Sequence, residues 1–110
     1  MSVPFRSLTK KKDFDAVFKT GRPVYDRLFG VRKVKNDLGH NRFGIMISTK
    51  VSKKAVVRNK IRRRIREALK KNTTGNDQGF DVIINVLKEA AESSYADIET
   101  AVIRLFGNKQ

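Results

Sequence analysis

One stretch constrains this chain more than any other: Val56-Val57-Arg58-Asn59-Lys60-Ile61-Arg62-Arg63-Arg64-Ile65-Arg66-Glu67-Ala68. At 100° per residue, Val57, Ala68, Ile61, Ile65 and Leu69 fall within about 120° of one another, the width of a helix face that lies on a core. Between about 140° and about 240° on the same wheel stand Arg62, Arg66, Asn59, Lys70 and Arg63. The segment therefore reads as a helix with one face for protein and one guanidinium row. Its arginines repel one another, and Glu67 alone is near enough to relieve them. Guanidinium forks match phosphate oxygens two at a time and stack on bases, which an ammonium does not do. A merely solvated face usually mixes signs, whereas this one has almost no acid.

The rest of the charge agrees with a polyanionic partner. The 110 residues hold 25 Lys and Arg against 11 Asp and Glu, a formal net charge of +14. Residues 1–71 carry 22 of those cations and only 5 acids, so the charge is placed rather than spread. With no cysteine there is neither a disulfide framework nor a thiolate metal site. No apolar run approaches membrane-spanning length, so no membrane partner is expected. The segment Met1–Arg6 lacks the apolar core of a signal peptide, and a cytoplasmic location follows. The length suits one domain with a modest core, and nothing marks a repeat or internal boundary.

Taken in order, residues 1–8 read as an extended arm containing Pro4, anchored by Leu8. Thr9 is the candidate cap of a first helix over residues 10–20, with Phe14, Val17 and Phe18 apolar and Gly21 at its end. Arg22–Tyr25 and Leu28–Lys35 follow as strands joined by a tight reversal at Asp26-Arg27. Asn36–Asn41 is rich in turn residues and reads as a hairpin loop, leading to a third strand over Arg42–Thr49. Ser52 is the candidate cap for the arginine helix, which runs to about Lys71. A polar loop spans residues 72–79. Phe80–Leu87 is apolar at nearly every position, the pattern of a strand buried on both faces in mid-sheet. After a loop over residues 88–93, Ser94 with Asp97 resembles a capping box. The last helix carries Tyr95, Ile98, Val102, Leu105 and Phe106 on one stripe and ends at Gly107. The strand–arginine helix–strand unit implies that the third and fourth strands run parallel.

Val57-Arg58-Asn59-Lys60-Ile61-Arg62-Arg63-Arg64-Ile65-Arg66-Glu67 resembles the "RNR" segment of the bacterial ribonuclease P protein subunit. The likeness extends over nearly the whole chain: Leu8–Gly21 with Asp13-Phe14 and Val17-Phe18, Arg42-Phe43-Gly44-Ile45, Ser48-Thr49-Lys50, and Ser93-Ser94-Tyr95. The RNR segment is specific; the other pieces gain weight from their order. The resemblance implies an α+β fold: a single mixed four-stranded sheet with helices, in the order α-β-β-β-α-β-α. It also implies a left-handed βαβ crossover, as in domains of a small-subunit ribosomal protein and elongation factor G, where general rules favour the right-handed form. It implies a ribonucleoprotein that cleaves the 5′ leader from precursor tRNA. The RNA subunit would supply the active site and most ligands of its Mg²⁺. The implied partners are the ribonuclease P RNA and precursor tRNA, not DNA.

By resemblance Arg58, Asn59, Arg62, Arg63 and Arg66 contact the RNA subunit. Arg58 lies near the apolar stripe, at about 100° on the wheel, and bracing of the helix stands as its alternative role. Arg64 and Lys60 point elsewhere. The leader would lie in a cleft between the first helix, the sheet and the start of the arginine helix. Phe14 and Phe18 match the family's aromatic positions there, with core anchoring as the alternative for each. Ser48 and Lys50 are second-rank candidates. Arg32, a leader-binding candidate, stands where some members have an aromatic; guanidinium stacking is one substitute, and the role of the position stays open. The acids form no cluster near the basic face, so no catalytic residue is expected in the protein. His40, the sole histidine, falls in a loop and reads as a surface residue. A small structural ribosomal or RNA-assembly protein is the alternative from another class. A membrane-surface or calmodulin-type helix ranks last, because a domain this small needs the Val57–Leu69 stripe for its core.

Overall fold

Helix α1 (Lys11–Thr20) is followed by strands β1 (Arg22–Tyr25), β2 (Phe29–Lys35) and β3 (Arg42–Met46). Helix α2 (Ala55–Asn72), strand β4 (Phe80–Val86), a 3₁₀ turn at Lys88–Glu92 and helix α3 (Tyr95–Phe106) complete the chain. The computed structural model describes residues 6–72 and 79–106. The expectations for Pro4 and the start of the arm, for residues 73–78 and for Gly107 lie outside the described residues.

Strand β4 organises the sheet, whose order is β1-β2-β4-β3. It pairs antiparallel with β2 and parallel with β3, the latter as the crossover through α2 requires. Val82, Ile83 and Ile84 are all buried, so apolar side chains leave both faces and each face needs a covering layer. This insertion overturns the expected hairpin between β2 and β3. Residues 36–41 do turn, but they arch over the start of β4. The Asn36 N–H donates to the Gly79 carbonyl at 2.9 Å, and the Phe80 N–H donates to Asn41 Oδ1 at 2.8 Å.

Other boundaries also differ from the sequence expectation, two of them for reasons the structure shows. Strand β3 stops at Met46 rather than Thr49. Ser48 redirects the chain there, its Oγ accepting from the Lys50 N–H at 3.2 Å and its carbonyl from the Val51 N–H at 3.1 Å. Thr9 does not cap α1; Lys10 holds that position without a side-chain bond. The chain before it is drawn onto the outer edge of β3, where the Leu8 N–H donates to the Phe43 carbonyl at 2.8 Å and the Phe43 N–H to the Arg6 carbonyl at 3.0 Å. Leu8 is buried by this pairing, and the helix starts only after it.

Helices α2 and α3 cover one face of the sheet and α1 covers part of the other. The α2 stripe is buried as its period predicts, with Ile61, Ile65, Ala68 and Leu69 meeting Ile98, Ala101 and Val102 of α3. Each large aliphatic side chain so buried contributes roughly 1.5–3 kcal/mol, enough to hold a helix whose outer arginines repel one another. The capping box forms: the Ser94 N–H donates to Asp97 Oδ2 at 3.2 Å and the Asp97 N–H to Ser94 Oγ at 3.1 Å. Ser52 Oγ accepts from the Lys54 N–H at 3.2 Å, which closes the turn just before α2. Among the described residues no helix is long and apolar enough to cross a membrane.

Candidate nucleic-acid interface

The strand register sets three rows of side chains across the face that carries α1. Residues directly opposite one another in neighbouring strands share a face. One row is Val34, Asp81 and Arg42, and the next is Pro23, Arg32, Ile83 and Gly44. The last is Tyr25, Gly30, Asn85 and Met46. Helix α1 lies over the first two. Val17 is fully buried with Leu8 and Ile83. The last row stays open, with Tyr25, Asn85 and Met46 all exposed.

The two phenylalanines of α1 have different surroundings. Phe14 is half-buried and sits directly over Gly44, where a Cβ would come within 2.5 Å of its Cζ. Its ring docks the helix on β3. Phe18 is 42% exposed and faces the open row. The Arg32 guanidinium lies 5.5 Å from the Phe18 ring centroid, while its Nη1 donates to the Gly21 carbonyl at 2.9 Å. The guanidinium is thus held between the Phe18 ring and the end of α1. Phe18, Tyr25, Gly30, Arg32 and Asn85 line a hollow of about 100 Å³. Ser48 and Lys50 lie in the exposed turn that follows Met46.

The arginines of α2 divide into two groups. Arg58 is half-buried, and its Nη1 donates to the Ser52 carbonyl at 2.8 Å, which braces the turn before the helix. Arg64 is also half-buried, with Nη1 at 3.4 Å from the Ser93 carbonyl. Arg62, Arg63 and Arg66 stand on the outward row, where Arg62 Nη1 donates to Asn59 Oδ1 at 3.1 Å. Arg63 and Arg66 are exposed. Three guanidinium groups and one amide therefore present a cationic face on the layer opposite α1.

The family model described as Ribonuclease P matches residues 4–110. The chain belongs to the ribonuclease P protein family. It is 31% identical over 98 residues to the ribonuclease P protein component of Alkaliphilus oremlandii, covering 89% of this chain and 85% of that protein. To the component from Bacillus mycoides it is 35% identical over 100 residues, covering 90% and 86%. The ribonuclease P protein from Thermotoga maritima superposes with a TM-score of 0.82 at 26% identity, over 96% of this chain and 98% of that one. The Staphylococcus aureus protein gives 0.80 at 30% identity, over 93% and 92%. The four-stranded mixed sheet with three helices is the architecture of these ribonuclease P proteins.

In this ribonuclease P family member, Tyr25 and Asn85 border the cleft although neither was singled out from sequence. Tyr25 sits in a short strand that carries no motif, and Asn85 hides inside an apolar run. A polar residue at a mid-strand position was the available signal. Asp81 and Asp13 both face Arg42, at 2.7 Å and 3.5 Å. Among the described residues no three His, Cys, Asp or Glu side chains gather to hold a metal ion. His40 is half-buried in the arching loop, where its carbonyl accepts from Asn36 Nδ2 at 3.1 Å.

Proposed function

We propose that this chain is the protein component of a ribonuclease P ribonucleoprotein. The outward row of α2, Asn59, Arg62, Arg63 and Arg66, binds phosphates of the catalytic RNA, and Arg58 sets the helix in place. The single-stranded 5′ leader of precursor tRNA lies on the open part of the α1 face, against Phe18 and Arg32, with Phe14, Ser48 and Lys50 at its margins. The protein assists endonucleolytic removal of the leader in the cytoplasm. The chemistry would belong to the RNA subunit, and Mg²⁺ held mainly by that RNA and the substrate would supply the activated water. DNA and membranes have no part in it.

The observation that carries this reading is the exposed Phe18 ring under the Arg32 guanidinium, at the margin of an uncovered sheet row. A flat cation and a ring with a free edge accept bases of any sequence, as single-strand binding across many leaders requires. The arginine row on the opposite layer serves the larger RNA, since each phosphate it neutralises releases counterions.

Reconstitution tests it. Purified protein is mixed with a bacterial ribonuclease P RNA at low magnesium and near-physiological salt, with precursor tRNA labelled at its 5′ end. Leader release at a rate that needs both components is expected. Cleavage by the protein alone would place an active site in the protein. No stimulation in any mixture would return the chain to the structural RNA-binding class.

A further inference from the structure

We infer that Tyr25 and Asn85 form a base-reading subsite at the open end of the cleft, with the Tyr25 ring as a platform for one leader base and the Asn85 amide bonded to that base's edge. This rests on the leader-binding reading above and adds to it a means of telling one base from another.

The placement comes from the register. Tyr25, Gly30 and Asn85 stand opposite one another on three adjacent strands. Gly30 has no side chain, and the Tyr25 ring occupies the space: a Cβ on Gly30 would lie 2.8 Å from Tyr25 Cε1. The ring therefore lies down across β2, toward the column that holds Asn85. It is 67% exposed, an uncovered aromatic face on a sheet rather than part of a core. A base stacked there would present its edge along β4, where the amide stands.

Asn85 belongs to neither core cluster. It follows Val82, Ile83 and Ile84 and precedes Val86, all buried, and it is the exposed residue of that run. Asparagine is depleted in strands, and the Asn85 side chain has no hydrogen-bond partner among the described residues. An amide offers one donor and one acceptor side by side, the pattern that bases carry on their edges. Phe18 and Arg32 line the same hollow, so a neighbouring base has its own surface, and the strand can continue past the subsite.

The test uses the reconstituted holoenzyme and precursor tRNAs bearing each of the four bases at each leader position in turn. The unmodified protein should show one position at which the bases differ by about fivefold or more in affinity. Asn85→Ala should flatten the spread at that position alone, and Asn85→Asp, which replaces the donor with an acceptor, should reorder it. Tyr25→Ala should weaken every leader by about fivefold or more, with Tyr25→Phe retaining the affinity. Mature tRNA serves as the control ligand and Phe18→Ala as the control variant. If Phe18→Ala weakens leader binding while the Tyr25 and Asn85 variants match the parent, the subsite is wrong and the cleft stands. If none of the three variants separates leader-bearing from mature tRNA, the leader-binding reading falls as well.

Discussion

Arg42 Nε and Nη2 each donate to a different oxygen of Asp81, at 2.8 and 2.7 Å, directly across the parallel pair of β3 and β4. Asn36 Nδ2 donates to the same carboxylate at 2.8 Å, and Asp13 of α1 approaches Arg42 at 3.5 Å. The pair of buried Asp81 and half-buried Arg42 thus ties α1, two strands and the arching loop together. Burial alone would raise the Asp81 carboxyl, but the bonds from Arg42 and Asn36 together outweigh it, and its pKa lies below the usual value. A carboxyl depressed in the folded state stabilises the fold above its unfolded pKa, about 3.9, and loses that stabilisation as pH falls toward the folded value. Asp81→Asn should cost about 3 kcal/mol at neutral pH, because it leaves Arg42 without its main charge partner. It should also flatten the stability profile below about pH 4. Urea unfolding of both proteins across that range checks both statements.

Phe18 and Phe14 should separate function from stability. Phe18→Ala removes an exposed ring and should change the unfolding midpoint little, while lowering affinity for leader-bearing tRNA about fivefold or more. Phe14→Ala removes the ring that packs on Gly44 and should destabilise by about 2 kcal/mol, less than a fully buried phenylalanine. Mature tRNA binding should stay near the parent value in Phe18→Ala. Equal losses for mature and leader-bearing tRNA would assign Phe18 to the core instead.

The arginines of α2 should differ in the same way. Arg63→Ala and Arg66→Ala should weaken assembly with the RNA, each lowering the slope of log affinity against log salt by about one. Arg64→Ala should leave that slope near the parent value, since its guanidinium points to the Ser93 carbonyl. Its effect should appear instead as a small shift in the unfolding midpoint. Filter binding over a salt series reads all three.

Helical segments were legible because their periods are long and their signals redundant. The Val57–Leu69 stripe faces the core as read, with Ile61, Ile65, Ala68 and Leu69 buried and Val57 partly so, and the Ser94/Asp97 capping box closes both of its bonds. Strand partners were less legible. Nothing local in residues 36–41 says whether they close a hairpin or arch over another strand; that depends on β4, which arrives some forty residues later and needs a neighbour on each side. In the cleft, Arg32 was found through its departure from an aromatic pattern. Tyr25 and Asn85 were not, since only the register brings β1, β2 and β4 into one row. The different surroundings of Phe14 and Phe18 likewise depend on Gly44, a contact that the sequence of α1 does not contain.

Gly44 offers the sharpest check on how α1 is seated. A Cβ there would meet Phe14 Cζ at 2.5 Å and Cε1 at 2.8 Å, both far inside van der Waals contact. Gly44→Ala must therefore push the ring, and α1 with it, at a cost of about 1–3 kcal/mol typical of overpacking. The intrinsic effect of the substitution has the opposite sign, because glycine within a strand costs roughly 0.5–1 kcal/mol relative to alanine. Removing the ring should expose that sign. In a Phe14→Ala background, Gly44→Ala should be neutral or stabilising, and the pair should couple by about 1–3 kcal/mol in a double-mutant cycle. Additive losses would mean that Phe14 does not rest on Gly44, and the seating of α1 over the middle row would have to be redrawn.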